Sequence, residues 1–160
     1  MKTHRIEKNF HAAPAYLANG FVGLRISQIP LPCGTALVNG FVGRSPEKGI
    51  EEIAEAPYPL GADLQVNGIW LSERTDLIQF HSQLYDFSCG ELLSRFDFNA
   101  GGATIKVFVA TFCSRTQPTI VAQEILVETV SACDLVLQAN IALRGIDGKL
   151  LYRCMPAKNE

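Results

Sequence analysis

Clusters of basic residues are missing from this chain. Its 14 Lys and Arg are scattered among 160 residues, and with 16 Asp and Glu the formal net charge is −2. Such a surface has no field for gripping a phosphate backbone, which excludes nucleic acid as a partner. Cysteine pairs are missing too. Cys33, Cys89, Cys113, Cys133 and Cys154 are odd in number, widely spaced and without a C-x-x-C unit. Neither a disulfide framework nor a zinc site is expected from them; they read as buried free thiols in a reducing compartment. No apolar run approaches the ~18 residues that span a bilayer, and the opening residues lack the apolar stretch of a secretory signal. The expectation is a soluble, cytoplasmic protein with no membrane partner. His4, His11 and His81 show no H-x-H or H-x-x-x-H spacing, so no metal-ligand pair forms from them, and nothing calls for a cofactor.

Apolar residues, by contrast, are plentiful at 48%, with only 19% charged. That balance excludes disorder, supports one core at this length, and suggests a surface covered by something else. From Asp63 onward the apolar residues recur with period two between turn signals, the mark of antiparallel sheet. "ADLQVNGIWLSE" centres on Asn67-Gly68, a pair suited to the positive φ angles of a tight hairpin. "DLIQFHSQLYDF" and "GELLSRFDFNA" read as strands broken at Cys89-Gly90, and "NAGGA" turns the chain into "TIKVFVATFCSR", with Ile105, Val107 and Val109 on one face. Pro118 is placed at a strand start, and "TIVAQEILVETV", apolar on both faces, is expected to be a central strand. "ACDLVLQANIAL" puts Leu135, Leu137, Ala139, Ile141 and Leu143 on one face, and Asp147-Gly148 turns into a last strand, "KLLYRC". Only "SPEKGIEEIAEA", residues 45–56, offers a helix, capped by Ser45 and weakened by Gly49. The expected fold is an all-β antiparallel β-sandwich with at most one short helix: an N-terminal extension over 1–15, a single domain over 16–154 and a frayed tail over 155–160.

Candidate chemistry is sparse. The string Asn-Gly-Phe-Val-Gly occurs twice, at 19–23 and 39–43, but neither copy has the spacing or the following helix of a phosphate loop. Its glycines read as bulges or close backbone approaches within sheets. Glu51, Glu52 and Glu55 read as a solvated face, and Asp86, Glu91 and Asp97 as carboxylates at strand ends rather than a general acid pair. A dyad of His81 with one of the cysteines is outweighed by an ordinary strand histidine and buried thiols. Trp70 with Tyr58, Phe80 and Tyr85 could form a platform for a sugar ring, although strand aromatics more often belong to the core. The sequence therefore assigns no catalytic and no metal-binding residue, and leaves carbohydrate-binding residues unknown.

The order of motifs resembles the N-terminal domain of glycoside hydrolase family 65, which contains maltose, trehalose and kojibiose phosphorylases and acid trehalases. "LANGFVGLRIS", "NGFVGRSPEKGIEEIAEAPYPLGADLQVNG", "QLYDFSCGELLSRFDF" and "TFCSRTQPTIVAQEILVE" follow one another as that family's blocks do, over residues 16–142. The resemblance implies a galactose-mutarotase-like supersandwich. It also implies that the catalytic (α/α)₆ barrel lies beyond this chain, which stops before the sandwich is complete. The matched positions Asn19, Gly20, Gly23, Arg25, Asn39 and Gly40 are then structural. The function expected is a non-catalytic scaffold or carbohydrate-associated module, dimeric or otherwise homo-oligomeric through exposed sheet edges. The alternatives are a fragment or subunit of a disaccharide phosphorylase or glycosidase whose barrel is elsewhere, and a stand-alone carbohydrate-binding module using Trp70.

Overall fold

The computed structural model describes residues 3–6, 14–32, 34–44 and 47–143. Twelve strands form three antiparallel sheets among them. A five-stranded sheet runs in the order β1 (Thr3–Ile6), β8 (Ile78–Asp86), β9 (Glu91–Ala100), β10 (Ala103–Cys113), β11 (Val121–Thr129). A four-stranded sheet runs β2 (Ala15–Ala18), β3 (Val22–Ile26), β4 (Gly34–Arg44), β5 (Glu51–Ala56). A three-stranded sheet places β6 (Tyr58–Val66) between β12 (Leu135–Ala142) and β7 (Ile69–Trp70). Thr3–Ile6 thus adds an edge strand to β8, where the sequence suggested only an extension.

The turns follow the residue chemistry. Asn67 and Gly68 take φ of 47° and 83°, and Gly101 and Gly102 take 58° and 78°, so both two-residue hairpins use the left-handed conformations that Asn and Gly tolerate. The two hairpins also lock together: Asn67 donates from Nδ2 to the Gly101 carbonyl at 2.9 Å, and its Oδ1 accepts from the Asp134 amide at 2.9 Å.

The large sheet packs against both smaller ones, giving a two-layer sandwich with two core clusters. In the first, Phe96, Phe98, Ile105, Val107 and Val109 meet Ala62, Leu64 and Val66 of β6, with Leu31 and Leu71 closing the ends. In the second, Leu17, Val22, Leu24, Ile26, Ala36 and Ala56 of the four-stranded sheet surround Tyr58 and Leu92. The large sheet also carries three buried polar residues, Gln83, Ser94 and Thr111. Gln83 Nε2 donates to Ser94 Oγ at 3.1 Å and to the Ser27 carbonyl at 3.0 Å, tying the end of β3 to the opposite layer. Tyr58 fits only because residue 34 is glycine: a Cβ there would lie 2.6 Å from both the Tyr58 ring and the Arg25 carbonyl. Gly34→Ala is expected to cost about 1–3 kcal/mol, measured by urea unfolding followed through Trp70, the one tryptophan. A neutral result would mean that the ring can move aside.

Three expectations are corrected. The helix foreseen over 45–56 is instead the turn leading to a strand: Gly49 has φ 67°, and Glu51–Ala56 pairs with β4. Six residues after a glycine cannot recover the cost of starting a helix, whereas pairing supplies ladder bonds at once and sets Glu51 opposite Arg44. β11 is an edge strand, not a central one; it pairs with β10 alone among the described residues, and Leu126 is 55% exposed. β12 forms as expected but has no covered face among the described residues, since Leu135, Val136, Leu137, Ile141 and the following Leu143 are all exposed. Pro118 lies in the turn before β11, and Asp147-Gly148, "KLLYRC" and the tail fall outside the described residues.

Candidate functional site

The two Asn-Gly-Phe-Val-Gly strings meet at one point, where the second begins. β3 and β4 pair with Val22 opposite Val38 and Gly23 opposite Leu37, and the Asn39 amide donates to the Phe21 carbonyl at 2.8 Å. Between Leu37 and Val42 the pairing of β4 with β5 shifts, so β4 bulges where its Asn39-Gly40 stands. Gly20 (φ 91°) and Gly40 (φ 83°) border the result, a concave cavity of about 460 Å³ whose walls include Phe21, Leu37, Phe41, Val42 and Ile53. Asn39 is the sole polar side chain among its lining residues. Such a groove can take apolar side chains; it offers neither charge for a phosphate nor a group that could move a proton.

Asn19 is the fastener behind this groove. Its Oδ1 accepts from the amides of Phe21 (3.0 Å) and Val22 (2.9 Å), while its Nδ2 donates to the carbonyls of Ser114 (2.6 Å) and Pro118 (3.0 Å). One amide side chain thereby holds the β2–β3 turn to the β10–β11 connection in the other layer. Gly23 and Arg25, the other matched positions at this end, lie within β3 opposite Leu37 and Thr35.

The acidic residues do not assemble a catalytic pair. Glu51, Glu52 and Glu55 are exposed on β5. Asp86 and Glu91 stand opposite one another at the closed end of the β8–β9 hairpin. The Asp86 Oδ1 accepts from the Ser88 hydroxyl and amide, and these bonds hold its carboxyl below the usual aspartate value. A general acid needs the opposite shift. Asp97 instead pairs with His81, Oδ2 to Nε2 at 3.0 Å. Lys106, on β10, is the residue opposite Asp97, and Cys113 is seven positions further along that strand, on the order of 23 Å away. No dyad of His81 with Cys113 is possible in this arrangement.

Cys89, Cys113 and Cys133 are free thiols, and burial pushes the Cys113 thiol up. Cys89 is exposed in the 87–90 turn, yet its thiol is also raised above the ordinary 9.0, by desolvation first and then by the charges of Asp86 and Glu91. Its alkylation by iodoacetamide is expected to accelerate about tenfold per pH unit until the pH passes that value. A rate that levels off at neutral pH would contradict this. Cys33 and Cys154 lie outside the described residues.

The four aromatics named from the sequence form no common platform. Tyr58 is buried in the second cluster, Trp70 sits half-buried on β7, and Phe80 and Tyr85 belong to β8 of the large sheet. Pattern reading missed the contact that Tyr85 does make, a stack with Phe87 at 5.4 Å between ring centroids. The i, i+2 spacing at the strand end was its only trace. Among the described residues, no three His, Cys, Asp or Glu side chains converge on a point where a metal could sit.

Two layers of antiparallel sheet with two core clusters between them define a β-sandwich domain. The sequence matches the glycosyl hydrolase family 65, N-terminal domain, over residues 7–147, and the chain belongs to that family. A search of curated proteins finds no match.

Proposed function

We propose that this domain is a non-catalytic scaffold of the family 65 kind, which associates with a second copy of itself through its exposed sheet edges. The observation that carries the reading is the pair of long strands, β11 and β12, which are sheet edges among the described residues and whose apolar side chains Leu126, Val136, Leu137 and Ile141 are exposed. Unpaired strand edges combined with apolar surface favour addition of another chain. The free thiols of Cys89, Cys113 and Cys133 support a reducing setting, the cytoplasm.

A second reading makes the domain a subunit or fragment of a disaccharide phosphorylase or glycosidase whose barrel lies elsewhere. The family match supports it, because what is matched is an N-terminal domain of glycosyl hydrolases. Under both readings the 160-residue chain alone turns over neither trehalose, maltose nor kojibiose, with or without inorganic phosphate. Release of glucose or glucose 1-phosphate by the purified chain, above that of a mock purification, would overturn them.

A further inference from the structure

The apolar groove at the meeting of the two Asn-Gly-Phe-Val-Gly strings has no part in the scaffold reading, and one of its sides is a strand with a free edge. Ala18, Gly23, Leu37 and Glu55 stand opposite one another across β2, β3, β4 and β5, on the face turned away from the second core cluster. The first two are too small to cover the sheet: a Cβ on Gly23 would meet nothing nearer than the Ala18 Cβ, at 3.9 Å. The trough over them is bordered by Leu37, Val42 and Ile53, all exposed. β5 supplies Ile53. This strand pairs with β4 alone among the described residues, so its other edge presents backbone N–H and C=O groups to solvent.

Side chains alternate along β5, which puts Glu51, Ile53 and Glu55 together on the groove face, an apolar residue between two carboxylates. Neither carboxylate is in an ion pair among the described residues. The arginines of this face stand behind them, Arg44 on β4 opposite Glu51 and Arg25 on β3 opposite Thr35, so the only charges on the edge strand itself are negative. A second copy does not suit such an edge. Two β5 strands paired antiparallel about Ile53 would set Glu51 opposite Glu55 twice, and like charges directly opposite destabilise a pair. β11 and β12, the edges of the association, contain no Lys or Arg to answer the carboxylates. What suits the edge is a strand with basic residues at its first and fifth positions and a large apolar residue at its third. Its backbone extends the ladder, its two cations face Glu51 and Glu55, and its apolar side chain lies beside Ile53 at the mouth of the groove. We infer that β5 is a strand-addition site for an extended segment of that chemistry, supplied by a different protein. The inference goes beyond the scaffold reading and uses a different edge from the association between copies.

The test titrates the isotope-labelled whole chain with the peptide acetyl-Gly-Lys-Thr-Phe-Thr-Lys-Gly-amide and follows the backbone amides by NMR. Saturable shifts centred on β5 and the groove are expected, with an affinity that falls as salt is added. Glu51→Lys combined with Glu55→Lys should weaken binding about tenfold and transfer the preference to the peptide in which both lysines are glutamate. Ile53→Ser should weaken it severalfold. Glu73→Lys combined with Glu128→Lys makes the same change of net charge away from the groove and leaves binding unchanged. All these side chains are exposed, and unchanged unfolding midpoints would confirm that the effects are local. No saturation, shifts centred on β11 or β12 instead of β5, equal binding of the peptide with serine in place of phenylalanine, or no transfer of preference in the charge-reversed variant would each overturn the inference. None of these results bears on turnover or on molar mass, so the scaffold reading stands or falls separately.

Discussion

Replacing Phe98 by alanine is expected to destabilise the domain by about 3–5 kcal/mol, the usual cost of emptying a fully buried aromatic position. Phe98 is 0% exposed, and in the sheet it lies between Ile78 and Ile105 while facing the first core cluster. Neighbours on both flanking strands are held by their own ladders and cannot collapse into the space. A loss of that size is a large part of the ~5–15 kcal/mol that keeps an ordinary domain folded, so the variant should be partly unfolded at moderate temperature. Ile53→Ala supplies the comparison: at 71% exposure it should change stability by no more than about 0.5 kcal/mol. Equal midpoints for the two variants in urea would show that the large sheet does not pack as described.

Asn19→Asp is the second substitution with a large consequence, about 2–3 kcal/mol, although it changes the side chain by almost nothing in volume. The carboxylate keeps the two acceptor bonds to Phe21 and Val22 but loses both donor bonds, and it presents negative charge to the Ser114 and Pro118 carbonyls. The deficit should shrink in acid. A protonated carboxyl can donate one bond again, so its folded-state pKa is raised, and the difference from the parent narrows as the pH falls through that value. Asn19→Ala would lose all four bonds without that recovery. Hydrogen exchange of the 19–22 and 114–120 segments should report opening of both ends together, because a single side chain holds them. Opening of one segment without the other would contradict the fastening role.

Much of this fold was legible in the chain because its turns are chemically explicit. Asn67-Gly68 and Gly101-Gly102 can hardly be anything but hairpin turns, and the alternation through Ile105, Val107 and Val109 fixes which face of β10 is buried. Legibility failed where a segment's environment is set by distant partners. Glu51–Ala56 carries helix-forming residues, yet the neighbouring β4 offers it a ladder. β11 and β12 have the apolar content of covered strands, but periodicity reports only which residues share a face, never whether another layer lies over it. The repeated Asn-Gly-Phe-Val-Gly string was visible as a repeat. That its copies meet only where the Asn39 amide reaches the Phe21 carbonyl depends on the register of β3 against β4, and that Asn19 places its amide on the opposite layer depends on contacts 95 and 99 positions away in sequence.

Those uncovered strands carry the functional reading, and the molar mass in solution tests it most directly. Light scattering on the purified chain across a dilution series should give about twice the 17.5 kDa of one chain, or a higher multiple. A mass of one chain at every concentration would contradict association through the edges of β11 and β12.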